Sequence, residues 1–82
     1  MYLSEKLSDS IRAGKLTVTD MLDFFRTDHP DFFVFPDKDE KTIALKDLVR
    51  KSDGKNIKQM GVMLSSMKSG NDYLFMIELT FG

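Results

Sequence analysis

The chain has 82 residues, 41% of them hydrophobic, which is enough for one core and too little for two. It carries no cysteine and a single histidine, so a disulfide framework and a structural zinc site are excluded as staples. Twelve Lys+Arg against 13 Asp+Glu give a net charge of −1, so the total charge does not point to nucleic acid and only its distribution can. No apolar run approaches the roughly 20 residues needed to cross a bilayer. The opening MYLSEKLSDS lacks the charged-then-apolar order of a secretory signal. The expectation is one untargeted cytoplasmic domain spanning 1–82, with no cofactor and no metal.

Along the chain, Leu3, Leu7 and Ile11 recur every four residues before Gly14, which predicts a first helix over 4–13. A second helix is predicted over 18–27: Thr17 can cap it, Asp20 stands at the capping-box position, and His29-Pro30 stops it. Its core residues would be Leu22, Phe25 and either Met21 or Phe24. The run 32–35 has strand character and is closed by Pro36 and the polar turn 37–40. A second short strand is expected at 42–45, followed by a helix over 46–52 that buries Leu48 and Val49.

After Asp53-Gly54, Asn56 can cap a last helix over 56–67, with Gln59 three residues on. Ile57, Met60, Leu64 and Met67, spaced by three and four, would form its apolar stripe, with Gly61 on the same side. Gly70-Asn71-Asp72 reads as a turn. From Tyr73 to Phe81 the odd positions are uniformly apolar, the strongest strand signal in the chain. Leu74 and Met76 on its even face imply that this side is also partly covered, by the chain's own helices or by another subunit.

Charge is two-sided along the sequence. Between Leu16 and Leu45 seven acids face three bases, and between Lys46 and Gly70 six bases face two acids. No nucleophile, metal or phosphate-loop pattern is present, so no enzymatic activity is expected. His29 between Asp28 and Asp31 is read as a surface residue of a helix-terminating turn. Met60, Met63 and Met67 are read first as core filler; exposure of Met63, off the main stripe, would instead favour an adaptable binding surface.

The order of residues 42–45 as a strand, 46–52 as a supporting helix, 56–67 as a second helix and 73–81 as a returning strand resembles the winged-helix form of helix-turn-helix proteins. The resemblance implies an α+β, winged-helix-like fold of about four helices with a small antiparallel sheet, its short strands near 32–35 and 42–45 and its longer strand at 73–81. It also implies a non-enzymatic DNA-binding regulatory module. The start of the 56–67 helix would enter the major groove through Lys55, Lys58 and Gln59, with Arg50, Lys51 and Lys68 near phosphates. The alternative is a small protein-interaction module, an inhibitor or adaptor. It would bind a protein partner or a second copy through the C-terminal strand at Leu74, Met76 and Glu78, with the acidic segment from Asp20 to Glu40 facing a basic partner.

Overall fold

The computed structural model describes residues 1–82 and mixes two α-helices with two small antiparallel pairs of strands. Helix α1 runs Glu5–Arg12. Ser4 sits at its N-cap, its hydroxyl accepting from the Leu7 N–H at 3.2 Å, and Arg12 lies at the electronegative end. Helix α2 runs Val18–Asp28 and begins with the expected capping box: Thr17 accepts from the Asp20 N–H at 3.1 Å, and the Asp20 carboxylate accepts from the Thr17 N–H at 3.2 Å. His29 ends it ahead of Pro30, its ring edge-on to Phe24. Met21, Leu22, Phe24 and Phe25 are all buried, so both candidates for the third core position are used.

The winged-helix expectation fails beyond this point. Residues 42–45 form no strand; Thr42 and Leu45 belong to two single 3₁₀ turns, Glu40–Thr42 and Leu45–Asp47, and only Ile43 and Ala44 lie between them. No helix covers 46–52. Strand β2, Val49–Arg50, pairs instead with β1, Phe33–Val34, and a turn follows. The long-range bonds Ile57 N–H to Leu48 O, Lys51 N–H to Phe32 O and Arg50 N–H to Lys55 O engage backbone groups that a helix would have kept for itself.

Residues 56–67 form no recognition helix either. They belong to strand β3, Ile57–Ser69, hairpinned to β4, Asp72–Phe81. The helix-like spacing of this strand has a specific cause. Ile57 faces Phe81 and Gln59 faces Thr80, so Lys58 is an extra residue; four steps from Leu64 to Lys68 then match two from Phe75 to Tyr73. These bulges put spacings of three between Ile57 and Met60 and between Leu64 and Met67, which imitates a helical repeat. Only Ile57 and Met60 of that stripe pack on the core, while Leu64 and Met67 are exposed. Gly70, at φ +61, takes the first position of the two-residue hairpin loop, where a positive φ suits glycine.

β4 is the central strand. Opposite β3, residues 1–3 lie along it: the Ile77 N–H donates to Met1 O and the Leu3 N–H to Phe75 O, both at 2.8 Å. Just beyond, the buried Ser8 hydroxyl of α1 accepts from the Phe75 N–H at 3.0 Å. The inner face of this sheet carries Leu3, Phe75, Ile77, Leu79, Phe81, Ile57 and Met60, packed on α2, Phe33, Ile43 and Leu48. The Phe25 and Phe33 rings lie 4.6 Å apart at the centre of the core. The far end of the hairpin extends past this body. The radius of gyration is 13.0 Å, against about 12 Å for a compact chain of this length, and the long axis is 38 Å.

Ser8→Ala removes the acceptor of the Phe75 N–H and is expected to cost about 1–3 kcal/mol. In a domain of this size that is a fall in Tm of roughly 5–15 °C by calorimetry. Ser10→Ala, whose hydroxyl donates to Lys6 O on the exposed side of the same helix, should stay within about 0.5 kcal/mol.

Candidate functional site

The six residues proposed for nucleic acid do not share one surface element. Arg50 ends β2, and Lys51 and Lys55 sit in the turn that follows it. Lys58 is the bulge residue of β3, and Gln59 stands next to it on the sheet's outer face, opposite Thr80. Lys68 lies at the far end of β3, roughly 30 Å from Lys58 at strand rise. The structure therefore gathers Arg50, Lys51 and Lys55 and separates Lys68 from them.

Two of these cations are engaged within the molecule. The Arg50 guanidinium pairs with the Asp53 carboxylate through two hydrogen bonds and lies 4.0 Å above the Phe81 ring centroid. Lys68 Nζ stands 4.9 Å from the Tyr73 ring centroid. The hydrogen bonds from Arg50 hold the Asp53 carboxyl down at about 2, assisted by the Lys55 N–H and opposed by desolvation. They raise Arg50 further above its ordinary value. Lys38 Nζ lies 2.9 Å from Asp47, whose carboxyl is lowered first by that bond and then by the Ala44 N–H. Arg26 meets Glu40 at 2.6 Å and stacks on Phe35. Arg26–Glu40 and Arg50–Asp53 are thus paired within their own stretches, and only Lys38–Asp47 joins the two.

The other candidates, Leu74, Met76 and Glu78, project from the outer face of β4, away from the core. No helix packs there. Met76 is flanked by Met63 of β3 on one side and by Tyr2 on the other, so three apolar side chains cross the sheet in a row, with Leu74 beside them on β4. Met63 and Tyr2 are 40% and 46% exposed, and Met76 is half-buried between them. Glu78 lies opposite Gly61. Met63 fits the condition under which the methionines read as a binding surface. Tyr2 was not among the candidates, because three residues at the start of a chain give no periodicity and its place depends on a partner 74 positions away.

Compared with protein-family models, curated proteins and solved structures, the chain matches none of them.

Because the Asp53 carboxyl is depressed in the folded chain, the stabilisation from its pairing is complete above about pH 4 and is lost as pH falls toward 2. A carbon-detected NMR titration should give Asp53 a midpoint near 2. In Arg50→Gln that midpoint should return toward the ordinary value of 3.8. An unchanged midpoint in the variant would show that Arg50 is not the cause.

Proposed function

We propose that this chain is a small, non-catalytic protein-interaction module that presents the outer face of the β3–β4 hairpin to a protein partner. One observation carries the reading: Tyr2, Met76 and Met63 form an apolar row on a sheet face that none of the chain's helices covers. A monomer gains nothing from that row, since apolar side chains on a solvent face bury little area. Two methionines and a tyrosine are also the side chains that adapt best to a partner surface, the first by flexibility and the second by joining a wide apolar ring to a polar tip.

The polyanion reading asked a helix start to enter the major groove, and residues 56–67 supply a strand in its place. A two-stranded ribbon can also enter that groove. This one has no charged residue between Gln59 and Met67, its opposite strand contributes only Asp72 and Glu78, and Lys58 and Lys68 stand at its two ends, so the stretch that would enter the groove offers phosphates no cation of its own. The same electrostatic balance favours a protein surface over a nucleic acid.

Photocrosslinking in cells tests the proposal. A benzophenone side chain at position 74 should give a discrete protein adduct that Met76→Glu abolishes without altering the circular dichroism of the chain, whereas the same probe at position 15 should give none. Equal labelling from both positions, or none from either, overturns the reading. A labelled DNA duplex titrated at low salt should show no saturable binding. Binding whose log K falls against log salt with a slope of about −3 or steeper would return the function to nucleic acid.

A further inference from the structure

We infer that two copies of this chain associate through the free edge of β3, pairing antiparallel about a twofold axis at Val62. The inference goes beyond the partner-binding face, because it concerns the edge of the sheet and names a second copy as its occupant.

The edge is open and long. At its start, Ile57 bonds back to Leu48; from Lys58 to Ser69 β3 pairs with β4 alone. Phe75 and Ile77 turn their peptide groups toward residues 1–3 and Ser8, so their opposite residues Leu64 and Val62, and Met60 two further on, turn theirs outward. Edges of this kind are usually blunted by charge or proline. Here Gln59 to Met67 contains neither, and Lys58 and Lys68 only frame it. Val62 and Leu64 on this edge are 45% and 61% exposed.

Gly61 supplies the second, independent observation. It does not occupy a left-handed conformation, and a Cβ added there would meet nothing within 4 Å. Inside the monomer nothing requires glycine at this strand position, where it weakens the strand; such a glycine marks a place where something approaches closely. A shallow hollow of about 330 Å³ lies over it, lined by Gln59, Met60, Gly61, Glu78 and Thr80.

The register follows from these residues. An axis at Val62 sets Met60 opposite Leu64 of the second copy, so the outward peptide groups of both edges face one another and exchange N–H to O bonds. It also sets Gly61 opposite Met63 of the second copy, and each exposed Met63 enters the hollow that the other copy's Gly61 leaves. An axis one residue on, at Met63, would set Gly61 against Ser65 of the irregular segment after Leu64 and leave its hollow without a side chain to enter it. The bulge after Leu64 ends regular pairing on each copy at the same point.

Sedimentation equilibrium of the full chain, from micromolar to millimolar concentration, tests this. Wild type should reach twice the 9.4 kDa chain mass. Gly61→Val fills space that is open in the monomer and suits a strand, so it should leave thermal stability of the dilute chain unchanged or higher while the dimer is lost at concentrations where wild type is dimeric. Val62→Pro, which deletes an N–H without an intramolecular partner, should do the same; if it unfolds the chain, Gly61→Val decides. A wild type that stays monomeric at millimolar concentration overturns the inference, and so does a dimer that survives Gly61→Val. A dimer dissolved by Met76→Glu and untouched by Gly61→Val would place self-association on the outer face and also overturn it.

Discussion

The backbone of Phe75 and Ile77 is the constraint on which the rest of the molecule depends. On one side these residues bond to Met1, Leu3 and the Ser8 hydroxyl, and on the other they stand opposite Leu64 and Val62 of β3. Double pairing makes β4 central and fixes its register, so its odd-numbered side chains enter the core together. A slip of one residue would turn Ile77 outward and drive Met76 and Glu78 in. Residues 1–3 run directly into the Ser4 cap, so the same register also sets where α1 sits. α2 then closes the core through Phe25 on Phe33.

Legibility from sequence followed the range of the interactions. The four-residue repeat of Leu3, Leu7 and Ile11, the helix cap at Thr17, the stop at His29-Pro30 and the alternation of β4 are all local, and each could be read. β3 could not, because its bulges at Lys58 and after Leu64 put spacings of three on either side of the regular spacing of four from Met60 to Leu64. The segment 46–52 failed for a related reason: Leu45, Leu48 and Val49 have helical spacing, but Leu48, Arg50 and Lys51 form backbone bonds to residues 57, 55 and 32. The candidate surface was partly visible. Met76 and Met63 could be picked out by their off-face positions, whereas Tyr2, Gly61 and Val62 acquire meaning only from pairings that no local pattern encodes.

Charge shows the same dependence on range. Counted along the chain, an acidic stretch precedes a basic one; in space, Arg26 pairs with Glu40 and Arg50 with Asp53 inside their own stretches, and only Lys38–Asp47 bridges the two. Arg50 and Lys68 also cover aromatic rings, Phe81 and Tyr73, with their cationic ends. A cation already paired with a carboxylate must release it before it can serve a phosphate, and a solvated ion pair of this kind contributes little to stability either way. After residue 45 only Arg50 is held in this way, and Lys51 and Lys55 sit in the turn beside it, off the hairpin, so the excess there is compatible with a hairpin whose recognition is apolar.

The protection of β3 at its two ends decides what kind of assembly its open edge permits. Lys58 sits in one bulge, the other bulge precedes Lys68, and between them lies a short uncharged stretch that can pair. β4 offers no second edge at Phe75 and Ile77, because residues 1–3 and Ser8 occupy it there. A chain with one usable edge can form a closed twofold pair and then has nothing left to extend; unlimited stacking needs a usable edge on each side. The N-terminal residues that lock β4 in the centre thus also leave β3 as the long open edge of this sheet, so the fold and the place of association rest on the same few hydrogen bonds.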